Sequence, residues 1–123
     1  MPLQESGEMY LESIVVLRAR LGNVRAIDIA NFTGYTKPSV SRALGLLKTE
    51  GFVTVDAAGH IALTPEGENV AGRIYERHQV LTRFFTALGV SPETAERDAC
   101  RIEHVISDET FDMLCEHGKE ILK

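Results

Sequence analysis

A helix-start signature occurs three times in the second half of this chain and limits that half to a helical fold. Residues 64–66 (Thr-Pro-Glu) and 91–93 (Ser-Pro-Glu) combine a hydroxyl N-cap, a proline at the first helical position and a carboxylate near the positive end of the helix dipole. Residues 107–109 (Ser-Asp-Glu) follow the same pattern without the proline. Three helices are therefore predicted after residue 63, the first of them running to about Leu88 and ending at Gly89.

The first half of the chain has the pattern of two helices, a tight turn, a third helix and a β-hairpin. Apolar residues at helical spacing predict a helix over residues 8–21 and a second, short helix over 26–32. Thr36 is the predicted N-cap of the third helix. Residues 52–55 and 61–63 flank a turn and predict the hairpin. This order is typical of a winged helix-turn-helix, a fold that binds DNA.

The charges divide between the two halves. The net charge is −5. Residues 1–63 carry six acidic and six basic side chains, whereas residues 64–123 carry twelve acidic and seven basic ones. A neutral half beside an acidic half suits phosphate contact in one and cation binding in the other. We therefore predict a mainly α protein with a winged helix-turn-helix DNA-binding domain at 1–63 and an α-helical metal-binding and dimerisation domain at 64–123.

The composition indicates a cytoplasmic protein that does not enter a membrane. No apolar run approaches the roughly 20 residues that cross a bilayer. Residues 1–5 lack the basic and apolar regions of a signal peptide, so none is expected. Without an export signal, the two cysteines are predicted to be reduced thiols.

A thiol, a carboxylate and an imidazole lie close together near residue 100. On a continuous helix, Cys100, Glu103 and His104 have the i, i+3, i+4 spacing that places all three on one face. These donors suit a divalent first-row metal better than they suit a packed core. A cysteine nucleophile with a histidine base is the enzymatic alternative. It lacks an orienting third group and an oxyanion site, so no enzyme activity is predicted.

The start of the third helix is the predicted DNA-contacting surface. Lys37 and Arg42 suit phosphates or guanine edges, and the small residues around them permit close approach. The turn of the hairpin, residues 56–60, has no lysine or arginine and is expected to touch DNA only slightly. The predicted contact residues are Thr36, Lys37, Pro38, Ser39, Ser41 and Arg42.

These features together resemble the family of metal-dependent regulators that includes the diphtheria toxin repressor and the manganese transport regulators. The resemblance covers essentially the whole chain and is strongest at residues 8–11 (Glu-Met-Tyr-Leu), at Arg77-His78 and over residues 99–109. It implies a winged helix, a helical dimerisation region and metal-activated repression of metal-uptake genes by binding to operator DNA. It further implies the short form of the family, without the C-terminal β-barrel domain of many iron-type members.

The resemblance also implies a set of metal ligands of mixed type. The iron-sensing branch has its primary ligands at the positions of Met9, Cys100, Glu103 and His104. Glu12 matches a carboxylate ligand of the manganese-sensing branch, and His78 matches a second-site ligand of both branches. Glu96 and Thr82 stand where the iron branch has a histidine and a glutamate. The predicted metal-ligating residues are Met9, Glu12, His78, Glu96, Cys100, Glu103 and His104.

The soft donors decide the expected metal. Thioether and thiol favour Fe²⁺ over Mn²⁺, so Fe²⁺ is predicted, with Co²⁺, Ni²⁺ or Zn²⁺ as surrogates. The oxygen donors of Glu12, Glu96 and Glu103 keep Mn²⁺ as the alternative. The metal is expected to bridge the two domains and so to order a homodimer for operator binding.

Apolar side chains of the second half are expected to form its core or the dimer interface. They are Phe84, Phe85, Leu88, Ile102, Phe111 and Leu114. No small organic substrate is predicted. Two alternatives stay open at this point: a winged-helix protein that binds DNA without metal, and a metal buffer that does not bind DNA.

Overall fold

The computed structural model of the chain describes residues 5–118 and confirms a mainly α fold with one small sheet. Residues 1–4, on which the expected lack of a signal peptide partly rests, lie outside the described residues. Within them, no helix is both long and apolar enough to cross a membrane. The elements are α1 (Glu5–Leu21), α2 (Ala26–Thr33), α3 (Lys37–Thr49), β1 (Val53–Val55), β2 (Ile61–Leu63), α4 (Pro65–Ala87), α5 (Pro92–Ile102) and α6 (Asp108–His117).

The chain forms two compact units, of which the first ends at Gly72 and the second begins at Arg73. The predicted boundary lay between residues 63 and 64, whereas the units divide within α4. The start of α4 belongs to the first unit because Ala71 is fully buried in the apolar core of that unit and Val70 packs against it. α4 therefore begins at Pro65, but the first unit ends later, at Gly72.

The first unit is a helix-turn-helix with a two-stranded wing. Its core combines residues of α1, α2, α3 and the hairpin, among them Leu11, Ile29 and Val40. β1 and β2 pair antiparallel, and Val24, in the segment between α1 and α2, forms an additional bridge to Ile61 of β2. The predicted winged helix-turn-helix topology is present in full.

The turn between α2 and α3 is set by a glycine and a threonine. Gly34 has φ 81°, in the left-handed region that glycine adopts without strain, and its N–H donates to the carbonyl of Ala30. Two residues later, the Thr36 side chain accepts the N–H of Ser39 and caps α3, as predicted. These two local interactions fix where α3 begins.

One surface ion pair of the first unit gives a testable pH dependence. Arg18 of α1 binds both carboxylate oxygens of Glu68 in α4, and this hydrogen bonding lowers the pKa of Glu68. A lowered pKa stabilises the fold above the ordinary value of the carboxyl, and this stabilisation is lost as the pH falls through the folded-state value. We expect Glu68→Gln to reduce the free energy of unfolding by about 0.5 kcal/mol at pH 7, because both side chains are partly exposed.

The check is urea unfolding of wild type and Glu68→Gln between pH 7 and pH 3. The difference in stability should decrease towards the acidic end of this range, because the pKa of Glu68 is lowered in the folded state. A difference of equal size at pH 3 would mean that Glu68 acts through packing rather than through its charge.

The second unit is a small helical layer built from the rest of α4 with α5 and α6. Leu81, Ala99 and Phe111 are buried at its centre, and Phe85, Ile102 and Leu114 pack around them. Phe111 thus takes the first of its two predicted roles, core or dimer interface, because its ring is buried within one chain. Among the other predicted interface residues, Phe84 is half-buried and Leu88 is exposed.

Candidate metal centre and DNA-binding surface

Glu103 is the most unusual polar residue of the second unit. Its side chain is 0% exposed. One carboxylate oxygen, Oε2, lies 2.8 Å from Nδ1 of His78 on α4. The other, Oε1, lies 3.3 Å from Nε2 of His104, and within the described part of the chain it accepts no hydrogen bond. Two imidazoles therefore meet at a carboxylate that is fully buried.

This arrangement fits a divalent cation. A buried carboxylate oxygen without a hydrogen bond is costly, and a coordinated cation removes that cost. Two ligand atoms at adjacent positions of one octahedral ion lie about 3 Å apart, close to the spacing of Oε1 and the His104 nitrogen. Carboxylate oxygen with imidazole nitrogen is a donor set used by manganese, iron and zinc alike.

His78 and Glu96 extend this cluster towards solvent. Nε2 of His78 lies 4.0 Å from Oε1 of Glu96, whose side chain is 71% exposed. The hydrogen bond to Glu103 raises the pKa of His78, and burial opposes this effect. The hydroxyl of Thr82 donates to the His78 carbonyl one turn earlier on α4. Of the positions predicted for a second site, His78 is thus anchored by Glu103, and Glu96 lies at the open side.

The helix predicted to carry Cys100, Glu103 and His104 on one face ends before His104. α5 ends at Ile102, Glu103 is its C-cap, and His104 lies in the following turn, its N–H bonded to the Arg101 carbonyl three residues back. Within this segment Cys100 is exposed, whereas Glu103 is fully buried. Helical spacing alone could not predict the end of α5 at Ile102, because the spacing argument assumes that the helix continues.

The two predicted ligands of α1 lie one turn apart and are both half-buried. The hydroxyl of Tyr35 lies 3.7 Å from the Met9 sulfur and donates to it, and the Tyr35 ring packs against Tyr10 with centroids 6.0 Å apart. Tyr35 immediately precedes Thr36, the N-cap of α3. No sequence pattern indicates Tyr35, since nothing in its spacing from Met9 predicts a contact. It connects a predicted ligand to the start of the DNA-contacting helix.

The predicted DNA-contacting surface is accessible. All six of its residues are exposed, namely Thr36, Lys37, Pro38, Ser39, Ser41 and Arg42. The Thr36 hydroxyl also donates to the Ser39 hydroxyl, at 2.9 Å, so these two groups are ordered by the helix cap. Lys37 and Arg42 supply the positive charge of this surface.

The wing is more basic in the structure than in the sequence. Asp56 accepts the N–H groups of Ala58 and His60, and its pKa is lowered, mainly by the bond from His60. The guanidinium of Arg25 lies 3.4 Å from the His60 ring, where its Nη2 meets Nε2. Arg25 precedes α2 and is 35 residues from His60, so no local pattern could place its charge beside the wing.

Known proteins share this architecture. Residues 64–122 match the family model of the iron dependent repressor, metal binding and dimerisation domain. The transcriptional regulator MntR of Salmonella typhimurium is 42% identical over 103 residues, which are 84% of this chain but only 66% of that protein, just under two thirds of its length. The HTH-type transcriptional regulator MntR of Lysinibacillus sphaericus is 31% identical over 111 residues, 90% of this chain and 80% of that protein. The structure of the manganese regulator SloR is similar with a TM-score of 0.78 and 25% identity, over 95% of this chain and 54% of SloR.

Proposed function

This chain belongs to the family of metal-dependent transcriptional regulators that includes MntR and the diphtheria toxin repressor, and we propose that it is a metal-activated repressor of metal-uptake genes. It would bind double-stranded operator DNA as a homodimer when a divalent metal is bound. The observation that carries this proposal is the buried carboxylate of Glu103 between two imidazoles, in a chain whose α3 presents an exposed, positively charged start.

The metal side of the proposal rests on the residues around Glu103. Glu103, His104 and His78 would hold the ion, with Glu96 at the open side and the predicted ligands Met9, Glu12 and Cys100 completing one or two sites. A bound divalent cation supplies the positive charge that this buried carboxylate lacks. His78 orients the carboxylate by its hydrogen bond, and burial of Glu103 excludes water from it. That one ion is shared between α1 and the second unit stays a prediction.

We propose Fe²⁺ as the physiological metal. Met9 and Cys100 offer a thioether and a thiol, which favour iron over manganese. Mn²⁺ is the second candidate, because two relatives carry the name MntR and because Glu103 and Glu12 offer oxygen. The thiol of Cys100, which is exposed, is a soft donor that Mn²⁺ disfavours. Its removal should therefore separate the responses to the two metals.

The DNA side of the proposal rests on α3. In a helix-turn-helix, the second helix enters the major groove with its N-terminal residues at the base edges. Here those residues are Lys37, Ser39, Ser41 and Arg42, all exposed. A charged side chain at this position gains from phosphate or guanine contact. The metal buffer alternative does not require this surface.

The first test is anaerobic binding of the protein to its own upstream promoter DNA, titrated separately with Fe²⁺ and Mn²⁺. We expect DNA affinity to rise with metal, and Fe²⁺ to act at lower concentration than Mn²⁺. Arg42→Ala should weaken the metal-loaded complex about tenfold or more, because it removes a charged contact worth roughly 1–3 kcal/mol. Lys48→Ala, which alters an exposed basic residue in the last turn of α3, is the matched control.

Each outcome decides a different part of the proposal. DNA binding that is equal with and without metal would contradict a metal-activated repressor and favour the metal-independent alternative. Stronger activation by Mn²⁺ would replace iron with manganese. A silent Arg42→Ala variant would show that α3 is not the recognition helix.

A further inference from the structure

Arg77 of α4 is a buried cation that the proposed metal centre does not use as a ligand. The residue is 8% exposed. Its Nη1 donates to the carbonyl of Ile106 at 2.8 Å and to that of Glu103 at 3.4 Å, and its Nη2 donates to the carboxylate of Asp108. All three acceptors belong to residues 103–108, which comprise the segment that connects α5 to α6 and the first residue of α6.

Hydrogen bonds of its backbone N–H groups tie this connecting segment to α5. α5 ends at Ile102, and the N–H groups of residues 103–106 bond back to the last turn of that helix. The guanidinium of Arg77 binds the carbonyls of Glu103 and Ile106. A cation at the C-terminal end of α5 is also favourable because this end carries the negative pole of the helix dipole. Arg77 therefore closes the end of α5 and holds the first residue of α6 with one side chain.

The guanidinium is also fixed from its flat side. Its central carbon lies 5.3 Å from the ring centroid of Phe111, which is buried in the core of the second unit. Stacking on an aromatic face and donating through a planar fork are properties of arginine that lysine does not share.

Two adjacent residues of α4 thus hold Glu103 at two different points. His78 contacts its carboxylate, at 2.8 Å, and Arg77 contacts its backbone carbonyl. We propose that Arg77 is a positioning residue of the metal centre: by fixing the backbone of the connecting segment, it holds the Glu103 carboxylate and the His104 imidazole where both can ligate one ion. This inference rests on the proposed function, since it concerns the same site.

The test is a Co²⁺ titration followed by the visible absorption of the bound ion, which reports its coordination geometry. Arg77→Lys keeps the charge but cannot reach three acceptors or stack on Phe111, so we expect Co²⁺ affinity to fall about 10- to 100-fold, with a changed spectrum. Arg73→Lys, at an exposed position one turn earlier on α4, is the matched control and should change neither. Amide hydrogen exchange of residues 103–107 in the metal-free protein should be faster in Arg77→Lys alone.

If Arg77→Lys lowers the unfolding temperature but binds Co²⁺ with wild-type affinity and spectrum, the role of Arg77 is structural only and the inference is overturned. In that case the proposed function is unaffected. Wild-type protein that binds no Co²⁺ would overturn both. Should Arg77→Lys fail to fold, Asp108→Asn is the second variant, because it removes one partner of the guanidinium at an exposed side chain. We then expect a smaller fall in Co²⁺ affinity and a smaller change in the spectrum.

Discussion

Replacing Glu103 with glutamine should abolish metal-dependent DNA binding and leave the metal-free protein as stable as wild type. The carboxylate is fully buried, and one of its oxygens accepts no hydrogen bond from any described residue. Glutamine retains a side chain of the same shape that can bond to His78, but it removes the negative charge that a cation requires. We expect metal affinity to fall by at least about 100-fold.

Isothermal titration with Mn²⁺ and Co²⁺, together with urea unfolding in the presence of a chelator, measures both parts of this result. Glu116→Gln, an exposed position on α6, is the control and should alter neither quantity. A Glu103→Gln protein that binds metal normally would exclude Glu103 as a ligand. A large loss of metal-free stability would instead indicate that the carboxylate has a structural role, as the partner of a charged His78.

The second large effect is expected from Gly67→Ala in the first turn of α4. A Cβ atom on Gly67 would lie 2.1 Å from the carbonyl oxygen of Phe52 and 3.4 Å from the Leu63 side chain. The Phe52 carbonyl is fixed by its bond from the Thr64 N–H, so the hairpin and α4 would have to separate. We expect a loss of about 3 kcal/mol in the first unit, which corresponds to a fall in Tm of more than about 10 °C.

Gly72→Ala is the matched control for this substitution. Gly72 lies on the same helix, is exposed, and no described atom lies within 4 Å of a Cβ built there. Alanine is a better helix former than glycine by about 1 kcal/mol, so this variant should be slightly stabilised. Thermal unfolding followed by circular dichroism compares the two. Similar behaviour of both variants would mean that α4 is not packed against Phe52.

Much of the fold could be predicted from the sequence because its helix starts are local. Thr36, Ser91 and Ser107 each cap a helix at the predicted residue, and each accepts the N–H three positions on. Such a cap depends on four consecutive residues, so the pattern is visible without tertiary information. The division of α4 between two units was not predictable in this way, since it depends on which core buries Ala71.

The candidate site was predictable in its residue types but not in its geometry. The motif around residue 100 identified Glu103 and His104, yet it did not indicate that α5 ends at Ile102 or that Cys100 is exposed. Tyr35 contacts a residue that lies 26 positions away in the sequence. Arg77 contacts residues that lie 26 to 31 positions away. Periodicity and spacing carry no information over such separations, so only the folded structure shows these residues.

The sparse charge of α3 has a consequence for how such a repressor would respond to the ionic strength of the cell. Arg18 is bound to Glu68 and Arg20 lies over the Phe32 ring, which leaves Lys37 and Arg42 as the charged groups at the start of α3. In a dimer these helices would neutralise about four phosphates and contribute about −3.6 to the slope of log affinity against log salt. Changes in salt concentration would therefore shift the DNA affinity of such a repressor less than that of proteins with many lysine and arginine contacts.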